Sequence, residues 1–178
     1  MSQVYGENFM VDGVERLKKS KPMFTLKRNK GEVTLHSCKK LVENVDFLSE
    51  LPTYLLVKIV SYLKYEVFML NDVIFRHNTP GYCMYFILTG SVAVYSPQGQ
   101  EVTHLKDGAY FGEIALLIPD TYRMASVISV EISELYRLDK RDFQRVIAPH
   151  PALVELIHGK AENRLEETIF LMKRDRGR

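Results

Sequence analysis

The segment from Phe111 to Val127 reads FGEIALLIPDTYRMASV, and the interpretation of the whole chain starts from it. Gly112 has no Cβ, so the backbone at this point can approach a ligand closely. The Ala and Leu residues that follow favour one or two helical turns. The amides of Ile114 and Ala115 would then lie at the start of a short helix, where the helix dipole attracts an anion. The segment therefore predicts a phosphate site.

Two charged side chains flank this predicted phosphate site. Arg123 carries a permanent charge on a planar fork of donors, which would meet phosphate oxygens from the other side. Glu113 would repel an anion, so its expected role is to accept hydrogen bonds from nearby sugar hydroxyls. Taken singly, a glycine before a short helix is usually a turn, and a lone arginine is usually a surface charge. Their combination indicates a sugar phosphate as the ligand.

On both sides of this segment, short runs rich in Val, Ile, Tyr and Phe are separated by turn residues. Such close spacing favours an antiparallel roll or barrel over βαβ units. The short helix within 111–117 interrupts these strands, and a ligand site would explain its presence. The predicted strands cover residues 66–69, 73–75, 83–88, 91–95, 101–105, 125–130 and 133–138.

Helical patterns precede and follow the strands. A short helix is predicted from Cys38, and Pro52 suits the first residue of a second helix. After the strands, Asp139 is predicted to cap a helix, Pro151 to break it, and a last helix to cover 152–172. The expected fold class is α+β: an antiparallel, jelly-roll-like β-roll with N-terminal helices, a short phosphate-cassette helix and two C-terminal helices.

The composition suits one compact domain and excludes several classes of protein. The 178 residues are 46% hydrophobic and 26% charged, and no stretch approaches the roughly 20 consecutive apolar residues of a membrane span. The start does not read as a secretory signal. A net charge of +2 gives no field that would attract nucleic acid or an anionic membrane. Cys38 and Cys83 have no metal-ligand spacing and favour a reducing, cytoplasmic location.

Both ends of the chain are basic. Between Val11 and Lys30 lie seven basic residues against two acidic ones, and residues 173–178 read KRDRGR. These ends are either solvated termini or contacts for an acidic lipid or partner. We expect residues 1–33 to form a basic N-terminal segment, 34–172 the folded domain and 173–178 a basic tail.

The phosphate segment resembles a known family. FGEIALL, followed by Arg123 and the triplet ASV, is similar to the phosphate-binding cassette of cyclic-nucleotide-binding domains. This is the fold of protein kinase A regulatory subunits, catabolite activator proteins and cyclic-nucleotide-regulated channels. From about Cys38 to about Thr168 the chain most resembles the hyperpolarization-activated cyclic-nucleotide-gated channels. That resemblance is carried by CKKLV from residue 38, YEVF from 65, MYFI from 84, DG at 107–108, YFGEI from 110 and RL at 164–165.

The resemblance implies a role for each matching cassette residue. Gly112, Ile114 and Ala115 match residues whose backbone surrounds the cyclic phosphate. Glu113 matches the carboxylate that holds the ribose 2′-hydroxyl, and Arg123 matches the arginine that pairs with the phosphate. The implied ligand is cAMP, with cGMP as a second candidate, and no separate cofactor is implied.

Two positions outside the cassette also match the family. Val94 matches a strand residue that packs against the purine, although it equally suits an ordinary core position of the roll. Arg164 matches an arginine on the last helix that closes over the base when that helix folds onto the roll. The alternative for Arg164 is an exposed helix arginine.

The chain departs from the channel pattern at several positions. Met124 stands where channel relatives usually carry Thr, whose hydroxyl favours guanine in the syn form, so we expect cAMP to bind better than cGMP. The stretch 118–122 is one residue longer, which a surface loop absorbs at small entropic cost. Asn71 lies in a turn without the family's Pro-Gly, and Asn78 replaces a glycine, although Asn tolerates left-handed geometry.

Three functions compete at this point. The first is a cyclic-nucleotide sensor whose last helix is ordered by the ligand, either free-standing or as the cytoplasmic part or short form of a cation-channel-like protein. The second is a domain that has kept the fold, lost the ligand and become an interaction module, a hypothesis motivated by Met124 and the longer loop. The third, an enzyme, is disfavoured because the five histidines are scattered and no nucleophile or two-metal pattern appears.

The expected partner is the cyclic nucleotide itself. The residues before Cys38 do not read as the long helical linker on which the four-fold assembly of channels depends, so we expect a monomer or weak oligomer. The ending at Arg178 leaves no room for a helix-turn-helix after the last helix, which disfavours binding to nucleic acid.

Overall fold

The computed structural model describes residues 45–175. The basic segment 1–33 and most of the helix predicted from Cys38 therefore lie outside the described residues. The described part begins with a one-turn helix, α1 (Asp46–Ser49), and a longer helix, α2 (Thr53–Ser61), which starts directly after Pro52.

The described residues contain two four-stranded antiparallel sheets and a short helix between two of their strands. The elements are β1 (Lys64–Phe68), β2 (Val73–Phe75), β3 (Cys83–Thr89), β4 (Ser91–Tyr95), β5 (Glu101–Lys106), β6 (Tyr110–Phe111), α3 (Glu113–Leu117), β7 (Ser126–Ser129) and β8 (Ser133–Asp139). The first sheet has the order β1-β8-β3-β6 and the second β2-β7-β4-β5. Helix α3 separates β6 from β7, as the sequence predicts. The expected antiparallel roll and the α+β class are confirmed.

All seven strands predicted from sequence are present; β2 and β4 have the predicted bounds, and the others differ by one or two residues at one or both ends. β1 begins at Lys64 rather than at residue 66, and β7 is shorter than the predicted 125–130. Sequence patterning misses β6, because a two-residue strand shows no alternation. It pairs with β3 through Tyr85 and Phe86, and so places the start of α3 beside the first sheet.

Strand β3 lies between two hydrophobic cores. Met84 and Phe86 pack with the helices on one side of the first sheet. Tyr85 and Ile87 pack on the other side with residues of the second sheet. Because alternate side chains of a strand point to opposite faces, a strand covered on both faces is apolar throughout. This is why residues 83–88 read as a continuous apolar run.

Two helices complete the described chain: α4 (Lys140–Ile147) and α5 (Pro151–Asp175). Pro151 is the first residue of α5, a position where proline is tolerated because its amide would have no helical partner. Asp139 is the N-cap residue of α4, as the sequence predicts, but its side chain makes no cap hydrogen bond. Its carboxylate instead forms an ion pair with Arg137, whose Nε lies 2.9 Å from Oδ1.

Asn78, which the sequence predicts to tolerate left-handed backbone, does adopt it, and Asn71 adopts it as well. Asn71 has φ of 69° and Asn78 has φ of 59°. The amide of Asn71 donates to the carbonyl of Ser129, which joins its turn to the end of β7. Asn78 lies in the connection between β2 and β3, beside the site described next.

Candidate functional site

A cavity of about 220 Å³ opens between strands of the second sheet, helix α3 and helix α5. Arg164 belongs to helix α5, four residues before Thr168, which lines the cavity. Its side chain lies outside the described part of the structure. The predicted contact of Arg164 with the base therefore stays a prediction. The structure brings together the other site residues predicted from sequence, namely Val94, Gly112, Glu113, Ile114, Ala115, Arg123 and Met124.

Gly112 makes the turn from β6 into α3. Its φ of 81° lies in the left-handed region, which residues with a Cβ rarely adopt. A Cβ at Gly112 would lie 2.6 Å from Arg123 Nη1 and 3.3 Å from the carbonyl oxygen of Cys83. Glycine is thus required both by the backbone conformation and by the close approach of the arginine.

Arg123 is buried at the edge of the cavity, with 6% of its surface exposed. Its Nη2 donates to the carbonyl oxygen of Cys83 at 2.6 Å, and its Nη1 donates to the carbonyl oxygen of Gly112 at 3.1 Å. Its Cζ lies 4.0 Å from the centroid of the Phe75 ring. The remaining nitrogen, Nε, is buried and has no hydrogen-bond partner in the protein.

The electrostatics of this site favour an anion. Burial lowers the pKa of the Arg123 guanidinium, while Cys83, Tyr85 and Glu113 act in the opposite direction. Arginine nevertheless keeps its charge at neutral pH. A buried cation with an unpartnered donor loses free energy of hydration, and an anionic oxygen at Nε would restore part of it.

Backbone hydrogen bonds hold the Arg123 segment against the connection between β2 and β3. The amide of Arg123 donates to the carbonyl of Thr79, and the amide of Asn78 donates to the carbonyl of Arg123, each at 2.8 Å. Gly81 in the same connection packs closely on the site. A Cβ there would lie 2.1 Å from the Ala115 Cβ and 3.2 Å from Arg123 Nε. Sequence reasoning did not identify Gly81, because only the fold shows this approach.

Lys140 anchors the other end of α3. Its Nζ donates to the carbonyl oxygens of Ala115 at 3.0 Å and Ile118 at 2.9 Å. Burial lowers the pKa of Lys140, and the neighbouring Asp120 opposes that effect. Sequence reasoning also missed this residue, since nothing in the local pattern around position 140 points to a partner 22 to 25 residues earlier.

The remaining cavity wall is largely apolar. Val94 lines the cavity and also packs against the core between the sheets. Its contact with a purine stays a prediction. Met124 is half-buried and lines the same cavity. Glu113 is buried, with 7% of its surface exposed, next to Gly112. Residues 45–175 contain no group of three or more side chains placed to bind a metal.

The fold and the cavity define a β-roll domain with a pocket for a small ligand that carries an anionic group. The family model described as "Cyclic nucleotide-binding domain" matches residues 65–150, which contain the whole cavity except its α5 wall. The chain belongs to the cyclic nucleotide-binding domain family.

Curated relatives place this domain beside those of channels. The chain is 34% identical over 135 residues to potassium/sodium hyperpolarization-activated cyclic nucleotide-gated channel 4 of Oryctolagus cuniculus, a match that covers 76% of this chain and 11% of the relative. Channel 2 of Mus musculus is also 34% identical, with 15% of its length covered, and channel 1 of Oryctolagus cuniculus is 33% identical. The chain thus spans only a small part of these relatives. Within residues 45–175, no helix has the length and apolarity needed to cross a membrane.

Proposed function

We propose that the cavity binds a cyclic nucleotide, with cAMP preferred over cGMP, and that the chain acts as a regulatory sensor domain. The observation that carries the proposal is the buried Arg123 Nε without a partner at the edge of the cavity. In the proposed complex Arg123 pairs with the cyclic phosphate, and Glu113 accepts a hydrogen bond from the ribose. The backbone at Gly112, Ile114 and Ala115 surrounds the phosphate.

The base would occupy the apolar part of the cavity. Val94 would pack against the purine, and Met124 would offer it no hydroxyl. The absence of that hydroxyl supports a preference for adenine. In this proposal no cofactor takes part and no catalysis occurs: the nucleotide is the signal.

Helix α5 would carry the response. Thr168 lines the cavity, so a ligand would lie against this helix, and Arg164 would close over the base from the same helix. A ligand shifts the equilibrium between the ordered and the disordered state of α5 only by the difference between its affinities for those two states. Hydrogen exchange tests this step. Amides of α5 should exchange more slowly with cAMP than without it, and equal exchange at saturating cAMP would refute the ordering of α5.

Calorimetric titration with cAMP and cGMP tests the binding itself. A charge-assisted hydrogen bond contributes roughly 1.5–3 kcal/mol, so Arg123→Gln should weaken cAMP binding by about 10- to 100-fold. Arg141→Gln is the matched control, because it removes the same charge from an exposed position of α4. Thermal unfolding must first show that both variants are folded. Wild-type affinity in folded Arg123→Gln would refute the assignment of the site.

The second candidate is an interaction module that no longer binds a nucleotide. Its support is that Arg123 already has protein partners in the carbonyls of Cys83 and Gly112, so the fold can hold this arginine without a ligand. Folded wild-type protein that gives no heat with either nucleotide would favour this function over the sensor.

We further propose that the chain works within a cation-channel-like protein on the cytoplasmic side. The identity to channel domains supports this, and a free-standing sensor is the alternative. Immunoblotting of the source cells with an antibody against this domain separates the two. A band whose mass corresponds to many times 178 residues supports the channel-like parent. A single band with the mass of a 178-residue chain supports the free-standing sensor.

A further inference from the structure

The ring of Phe75, at the end of β2, lies against the guanidinium of Arg123. Its centroid is 4.0 Å from Arg123 Cζ, well within the range of a cation–π interaction. The ring is itself fixed by other aromatic side chains. It stacks on Tyr85 with centroids 6.4 Å apart, and it packs against Phe111 at 5.7 Å. Phe75 also lines the cavity.

The surroundings make this contact strong. A cation–π interaction strengthens when the cation is removed from water, and Arg123 is only 6% exposed. The ring contacts the guanidinium, while the carbonyls of Cys83 and Gly112 accept hydrogen bonds from its two Nη atoms. The Cys83 Sγ also lies 3.5 Å from Nη2. Together these contacts favour one orientation of the guanidinium, in which Nε is the nitrogen without a partner.

We infer that Phe75 is a positioning residue that sets the affinity of the cavity for the cyclic phosphate. The inference rests on the proposed function. A guanidinium already held in one orientation loses little side-chain entropy when the phosphate binds, so more of the interaction energy appears as affinity. Since cAMP and cGMP carry the same cyclic phosphate, Phe75 should affect both by the same factor and leave selectivity unchanged.

Substitutions at position 75 test the inference by calorimetry. Phe75→Leu keeps an apolar side chain but removes the ring. It should lower the affinity for each of the two nucleotides roughly 3- to 30-fold. Phe75→Tyr keeps the ring and should bind within about twofold of the wild type. Phe68→Leu is the matched control: Phe68 packs edge-on against Tyr85 in the same core but does not line the cavity. It should bind both nucleotides like the wild type.

A fluorinated series separates electrostatics from packing. Phenylalanine analogues with increasing ring fluorination at position 75 weaken the negative face of the ring while almost preserving its shape. The logarithm of the affinity for cAMP should fall steadily along this series. A role in packing alone would not produce that trend. Thermal unfolding checks that every analogue is folded at the temperature of the titration.

Each outcome decides a separate point. A flat fluorination series, or Phe75→Leu with unchanged affinity, overturns the role of Phe75 while wild-type binding still supports the proposed function. Unequal losses for cAMP and cGMP also overturn it, because the ring would then act on the base. If the folded wild type binds neither nucleotide, the proposed function fails, and this inference fails with it.

Discussion

Lys140 Nζ lies 3.0 Å from the carbonyl oxygen of Ala115, which ties the first residue of α4 to the middle of α3. The last carbonyls of a helix have no partners within the helix, and in a five-residue helix this applies to most of them. Lys140 supplies two of the missing donors, to Ala115 and to Ile118. The position of the cassette helix therefore depends on a side chain that is absent from the cassette itself.

Replacement of this lysine by Met should destabilise the protein and weaken nucleotide binding together. Lys140→Met keeps an unbranched stem but removes both hydrogen bonds from a charged donor, for an expected loss of about 1.5 kcal/mol in the free energy of unfolding. Urea unfolding measures the loss, and calorimetry measures the affinity. Arg141→Met, at the exposed neighbouring position, should change neither. An unchanged unfolding midpoint in Lys140→Met would contradict the anchoring role.

Gly112→Ala should damage binding more than folding. Left-handed backbone costs a residue with a Cβ roughly 1–2 kcal/mol, and the new methyl would displace Arg123 Nη1. Gly99→Ala is the control, since Gly99 has the same φ of 81° but nothing within 4 Å of the added Cβ. Both variants should lose the stability that left-handed backbone costs, and Gly112→Ala should lose more because its methyl group also displaces Arg123. Only Gly112→Ala should lose more than about tenfold in affinity for cAMP. Equal affinities in the two variants would show that the space beside Gly112 is not needed.

Met124→Thr should shift selectivity towards cGMP. The added hydroxyl can accept a hydrogen bond from the 2-amino group of guanine, which adenine lacks. A net contribution of about 0.5–1.5 kcal/mol corresponds to a two- to twelvefold change in the ratio of the two affinities. Met124→Val supplies a branched side chain without the hydroxyl and should leave the ratio unchanged. The same shift in both variants would point to shape rather than hydrogen bonding.

Glu66 should make stability depend on pH. It is 3% exposed on β1 and pairs with Arg137. Burial raises the pKa of Glu66 above its ordinary value of 4.5, against the opposing effect of Arg137. Between 4.5 and its raised pKa the folded protein binds more protons at this site than the unfolded chain, so the free energy of unfolding falls as pH rises through that window.

Glu66→Gln should remove this slope. Urea unfolding of wild type and variant at several pH values from about 4 upward gives the difference in the free energy of unfolding. As pH increases, the free energy of unfolding of the wild type should fall relative to that of Glu66→Gln. Glu131→Gln, at an exposed position before β8, serves as the control for loss of one negative charge. A difference that stays constant, or moves in favour of the wild type, would contradict the raised pKa.

Local patterns were enough to predict seven of the eight strands in the described residues and the short helix of the cassette. Turn residues and alternating side chains mark the strands, and Gly112 marks the turn into α3. Asp139 shows the limit of such patterns. It has the residue type and position of a helix cap, yet its carboxylate pairs with Arg137. Arg137 lies two residues earlier on the same strand, β8, and the ion pair occupies the carboxylate that a cap hydrogen bond would need. Residue type and position alone do not tell which of the two partners the side chain takes.

The residues that support the site were not predictable in this way. Phe75 reads as an ordinary strand residue, and Gly81 and Lys140 lie outside the cassette in sequence. Their roles arise from contacts between distant segments, such as the one between Phe75 and Arg123, 48 positions later. A single sequence gives the residue types at these positions but not their distances.

The contacts of Arg123 with Cys83, Gly112 and Phe75 give this arginine a structural role that does not depend on a ligand. This arginine joins three separate segments of the chain, so its loss would disturb the architecture even in a protein that never meets a nucleotide. Selection would then preserve it after the signal had been lost. Retention of the cassette arginine in a relative is thus evidence for an intact roll, and evidence for nucleotide binding only when the surrounding pocket is open as well.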